Sequence, residues 1–140
     1  MAIRTASAVW EGSIKEGKGT MRMGSGAYEG AYSWHSRFAE EKGTNPEELI
    51  GAAHAGCFSM ALSDLLTKAN HIPEKIETKA KVHMEAGSGI TLIELVTTAE
   101  VPGIDEKSFL ELAEKAKKGC PVSQALAAVE IKLDAKLIKS

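Results

Sequence analysis

The chain has 140 residues, 44% of them hydrophobic, and its 17 Lys and Arg against 19 Asp and Glu leave a net charge of −2. That length suits a single domain spanning 1–140, or one subunit of an interlocked oligomer, and the apolar share can support a core. The balanced charge argues against a nucleic-acid or anionic-membrane surface, because phosphate binding needs a basic excess.

Residues 1–36 read as a set of short N-terminal strands. The first lies within RTASAVWEGS, 4–13, with Ala6, Ala8 and Trp10 on one face. KGTMRMGS and AYEGAYSWHS follow as further strands joined by Gly-rich turns. Residues 35–44, HSRFAEEKGT, read as a charged loop.

A central helix follows at about 46–69. Asn45 is a good N-cap, Pro46 suits the first helical position, and Glu48 stands where a capping box places its acid. NHIPEK stops the helix. From Leu49 to Leu62 almost nothing is charged, and a helix apolar nearly all round reads as a buried central one.

The C-terminal α/β part covers 75–140. KIETKAKVHMEA alternates cleanly, with Ile76, Thr78, Ala80, Val82 and Met84 facing one way. GSG then turns the chain into ITLIELVTTAEV, so 75–101 is a predicted β-hairpin. A second helix runs over GIDEKSFLELAEKAKKG, with Asp105 as N-cap and Gly119 as its stop. Cys120 and Pro121 open a short third helix. A last strand follows, VEIKLDAKL, with Val129, Ile131, Leu133, Ala135 and Leu137 on one face. Strands in clusters separated by helices make an α+β fold with mostly antiparallel sheets.

MAIRTASAVWEGS shows no cleavable signal pattern, and no stretch reads as the 18 or so apolar residues of a membrane span. The expectation is a cytoplasmic protein, where thiols stay reduced and a disulfide is transient and catalytic. The chain has two cysteines. Cys57 shares a helix face with Ile50, Ala53 and Ala61, so it can be a plain core residue or a reactive one. Cys120 stands at an N-cap, where the helix dipole and Lys115, Lys117 and Lys118 favour a thiolate; it can equally be an incidental cap. There is no CxxC, and His35, His54, His71 and His83 are scattered, which argues against a metal site. His54 precedes Cys57 by three residues. A Cys57–His54 hydrolytic pair and a packed core histidine both fit that spacing, and an apolar-ligand-binding dimer without catalysis is a further alternative.

GTNPEELIGAAHAGCFSMAL, VPGID and KAKKGCPVSQAL together resemble the OsmC/Ohr family, in particular its OsmC branch, and EGSIKEGKGT near the N-terminus fits the same branch. The resemblance runs end to end. It implies an OsmC-like fold and an intertwined homodimer with active sites at the subunit interface. It also implies a peroxidase acting on organic hydroperoxides, with no metal, haem or flavin and an external, lipoyl-type dithiol as reductant. Matched by motif, Cys57 would be the peroxidatic thiol and Cys120 the resolving thiol, with Arg37 and Glu47 completing the site. Gly56 departs from the alanine that relatives often carry.

Elementary chemistry agrees with those roles. A thiol on a buried apolar helix has its pKa raised by desolvation, and a thiolate there needs a cation. Arg37 can supply it, oriented by a bidentate pair with Glu47. Glu47 and Cys57 are ten residues apart, however, hence about 15 Å along the axis and about 80° apart around it. Two copies of the helix packed antiparallel about residue 52 would bring Glu47 of one subunit to Cys57 of the other. Gly51, Ala52, Ala53, Ala55 and Gly56 would allow the approach. The plainer alternative is that these small residues pack the helix on its own sheet. Phe58, Met60, Leu49 and Ile50 around Cys57 would favour an alkyl or lipid hydroperoxide.

Overall fold

Strands β1 (Ala6–Glu11), β2 (Lys18–Met23) and β3 (Glu29–Tyr32) form an antiparallel meander in that order. The computed structural model describes residues 2–138; Met1, Lys139 and Ser140, at the ends of the expected 1–140 domain, lie outside the described residues. Gly19 pairs with Trp10 on one side and Tyr32 on the other, and the two rings meet across it at 5.4 Å. A Cβ at Gly19 would lie 2.5 Å from Tyr32 and 2.7 Å from Trp10, so only glycine admits this ring pair.

The predicted charged loop is in part a helix, α1 (Trp34–Phe38). Its capping box is built from two serines. Ser33 Oγ accepts from Ser36 N–H at 3.1 Å, and Ser36 Oγ accepts from Ser33 N–H at 2.8 Å. Its sequence signal is weak, because the second position of such a box is usually Glu or Gln. Ser36 also donates to the Thr44 carbonyl at 2.8 Å, and the Asn45 amide donates to the Ser36 carbonyl at 3.0 Å, which ties down the chain between α1 and the next helix.

Helix α2 (Pro46–Lys68) starts as predicted, with Asn45 Oδ1 accepting from Glu48 N–H at 2.7 Å. The Glu48 carboxylate, however, takes the Thr44 hydroxyl at 3.0 Å instead of returning to Asn45. The helix ends at Lys68, and Asn70 turns the chain out with φ +65°. Residues up to Leu49 form one compact unit and those from Ile50 onward another.

In the second unit, β4 (Lys75–Glu85) and β5 (Gly89–Glu100) form the predicted hairpin, and β6 (Glu130–Ile138) joins β5 in parallel. The connection carries α3 (Glu106–Gly119) and α4 (Pro121–Ala125), the helical crossover that a parallel pair requires. Asp105 caps α3 through Ser108 N–H at 2.9 Å. Gly119 is still helical, and Cys120 both ends α3 and caps α4.

The core joins Phe58, Leu62 and Leu66 at four-residue spacing on α2 to Ile93 and Leu95 of β5 and Phe109 and Ala113 of α3, all fully buried. Each of the large side chains among them contributes about 1.5–3 kcal/mol by leaving water. Gly51 lets α2 close on β4, since a Cβ there would lie 3.3 Å from Val82. Ala52, Ala53 and Gly56 are exposed, and Met60 is 77% exposed, so the expectation of burial all round is corrected. By length and composition α2 is also apolar enough to cross a membrane, contrary to the sequence reading; a core helix meets the same criterion.

Candidate active site

The first turn of α4 organises the two thiols. Pro121 at its first position has no N–H to satisfy, which leaves the Val122 and Ser123 N–H groups as orphan donors. Sulfur takes one of them: the Ser123 N–H donates to Cys120 Sγ at 3.5 Å, while the Val122 backbone acts to lower the pKa of both thiols. Cys57 Sγ and Cys120 Sγ lie 2.9 Å apart as free thiols, Cys57 half-buried and Cys120 buried. A disulfide requires about 2.05 Å, so once one sulfur is oxidised only a small approach is needed for the bond to form.

Burial pushes the Cys57 thiol above its ordinary value, and its hydrogen bond with Cys120 adds to the shift. Burial also acts to raise Cys120, but its hydrogen bonding with Cys57 and Ser123 brings it below its ordinary value. Within this chain burial therefore disfavours a thiolate at Cys57. A Cys57 thiolate needs a cation beside it.

One turn before Cys57, His54 is fully buried, and burial holds its pKa down, so the imidazole is neutral. Its Nε2 lies 2.7 Å from Ser123 Oγ, and Nδ1 has no hydrogen-bond partner among the described residues. The bonded ring nitrogen meets Ser123 and not Cys57, so the geometry lends nothing to a Cys57–His54 hydrolytic pair.

Arg37 projects from α1 and Glu47 from the first turn of α2. Nε and Nη2 of the arginine donate to Oε1 and Oε2 of the glutamate, each at 2.9 Å. Glu47 is 10% exposed at its side chain and Arg37 36%. The hydrogen bond to Glu47 raises the arginine above its ordinary value, so its charge is permanent. The predicted residues thus meet in two pairs, Cys57 with Cys120 and Arg37 with Glu47.

A cleft of about 210 Å³ opens beside Arg37, lined by Trp10, Ile14, Tyr32, Trp34 and Phe38. It was not among the expected features, although YSWHSRF carries three of its aromatic side chains close to the arginine in sequence. Phe58, expected near the substrate, is instead fully buried in the core, because it faces inward with Leu62 and Leu66. Among the described residues no cluster of three or more His, Cys, Asp or Glu could hold a metal ion.

The chain is similar to known proteins in both sequence and fold. Residues 39–134 match the model of the OsmC-like protein family. The chain is 52% identical over 138 residues to peroxiredoxin OsmC of Escherichia coli (strain K12), covering 96% of each. It is 31% identical over 98 residues to the organic hydroperoxide resistance protein OhrB of Bacillus subtilis (strain 168), covering 69% of this chain and 72% of that one. A crystal structure of OhrB of Bacillus subtilis superposes with a TM-score of 0.67 at 26% identity, over 94% of this chain and 98% of that one.

Proposed function

The chain belongs to the OsmC-like family, and from that premise we propose that it is a thiol-dependent peroxidase that reduces organic hydroperoxides to alcohols in the cytoplasm. The observation that supports this most is the 2.9 Å approach of the Cys57 and Cys120 sulfurs. The Cys57 thiolate attacks the distal peroxide oxygen; the O–O bond breaks and the alkoxide leaves as the alcohol on taking a proton. Cys57 becomes a sulfenic acid. The Cys120 thiol then attacks the sulfenic sulfur, an S–S bond replaces S–OH, and the hydroxyl departs with the thiol proton as water. An external dithiol, of lipoyl type, restores both thiols by exchange.

Arg37 serves as the cation that turns the Cys57 thiol into a thiolate and donates to the peroxide, with Glu47 fixing its plane. The protein acts as a homodimer in which Arg37 and Glu47 of one subunit serve Cys57 of the other. One helix keeps positions 47 and 57 about 15 Å apart, whereas two antiparallel copies crossing near residue 52 place them together. The exposed Ala52, Ala53, Gly56 and Met60 supply the small, apolar face such a crossing needs. The aromatic cleft beside Arg37 favours a hydroperoxide with a sizeable apolar group over hydrogen peroxide.

Intact-mass measurement after one equivalent of cumene hydroperoxide tests this reading. The wild type loses two hydrogens, and Cys120→Ser gains one oxygen at Cys57. An unchanged mass in freshly reduced protein would make both thiols structural toward this substrate and sink the proposal.

A further inference from the structure

His54 and Ser123 take no direct part in that peroxidase reaction, yet they adjoin it. They are 69 residues apart in sequence, and their side chains meet at 2.7 Å. Both are buried. The imidazole is sealed in the core with its Nδ1 unpartnered among the described residues. A polar ring with one nitrogen unsatisfied costs stability at a position that an apolar side chain could fill. Its single hydrogen bond goes to Ser123, whose own N–H reaches Cys120 Sγ.

We propose that His54 and Ser123 form a positioning pair for Cys120, keeping its sulfur on Cys57 and stabilising its negative charge whenever the disulfide closes or opens. This rests on the reading of Cys57 and Cys120 as redox partners. With Nε2 protonated, the neutral His54 donates to Ser123 Oγ and leaves the serine hydroxyl proton free to turn to the Cys120 sulfur. Ser123 then offers that sulfur two donors from one residue, backbone N–H and hydroxyl.

The chemistry uses them twice. In closure, negative charge gathers on Cys120 as it attacks the Cys57 sulfenic sulfur; S–S forms, S–O breaks, and the thiol proton leaves with the hydroxyl as water. In reduction, one thiolate of an external dithiol attacks Cys57 and Cys120 departs as thiolate onto the same donors. The second thiol of the dithiol then displaces Cys57, so the dithiol becomes a cyclic disulfide and both protein thiols return. Ser123 touches a reacting sulfur; His54 acts through Ser123.

The test follows sulfur oxidation states over time by intact mass, after one equivalent of cumene hydroperoxide, in wild type, Ser123→Ala, His54→Leu and His54→Gln. Ser123→Ala and His54→Leu gain the first oxygen at Cys57 at the wild-type rate. They then lose water to form the disulfide roughly tenfold or more slowly, the effect of one lost hydrogen bond to a charged group. Under excess hydroperoxide they accumulate sulfinic and sulfonic acid at Cys57. A loosened fold would slow both steps together, so the split between them marks positioning. Gln places an amide near the position of Nε2, and His54→Gln recovers most of the closure rate. Closure at the wild-type rate in Ser123→Ala overturns the pair's role. His54→Gln closing as slowly as His54→Leu removes His54 from it. A wild type that never loses two hydrogens overturns the reading of the thiols beneath it, a result distinct from either.

Discussion

Arg37 holds Glu47 through two parallel hydrogen bonds of 2.9 Å, one from Nε and one from Nη2, so the plane of its guanidinium is set by a carboxylate that is nearly buried. A lysine keeps the charge but has no fork with which to match two oxygens. Arg37→Lys is therefore expected to lower kcat/KM for cumene hydroperoxide by about 10–100-fold, the worth of roughly 1.5–3 kcal/mol in charged hydrogen bonds. Steady-state peroxidase assays check this. Wild-type turnover in Arg37→Lys would show that charge alone suffices.

If the site is shared between subunits, as proposed, mixed dimers should reveal it. Cys57→Ser and Arg37→Ala are each expected to be inactive alone. Unfolded together and refolded as mixed dimers, they leave one intact site in each heterodimer, so about a quarter of the wild-type activity returns. If each subunit used its own Arg37, the mixture would stay dead.

Two positions on α2 separate its inner and outer faces. Leu62 is fully buried among Phe58, Leu66 and the β5 core, and Leu62→Ala is expected to cost about 2–5 kcal/mol in urea unfolding. Gly56 is exposed, and a Cβ there meets nothing within 4 Å in this chain. Gly56→Ala should add about 1 kcal/mol, since glycine is a poor helix former. A loss of stability and a shift to monomer in Gly56→Ala would instead mean that the two helices cross too closely at residue 56 for a methyl group.

The buried His54 also sets a pH dependence. Burial lowers its pKa in the folded protein below the ordinary 6.5. As pH falls through 6.5 the unfolded chain takes up the proton first, so stability is full above that value and declines below it. His54→Gln, which does not titrate, should flatten that part of the profile. Identical urea midpoints for the two proteins at pH 7.5 and 5.5, each relative to its own maximum, would count against a neutral, buried imidazole.

What the sequence determined alone was local. The caps at Asn45, Asp105 and Cys120, the alternation of β4 and the hairpin to β5 all follow from residues within a few positions of one another, where propensity and hydrogen-bond chemistry act directly. Relatedness to one family was legible too, because motif residues are read without knowing where they fold. Tertiary structure alone brought Cys57 to Cys120 across 63 residues and His54 to Ser123 across 69. It also drew Phe58 into the core, left Met60 outside, and lined the cleft at Arg37 with Trp10 from a separate strand. Periodicity tells which side chains are apolar; only packing decides which of them find a partner within the chain and which face outward.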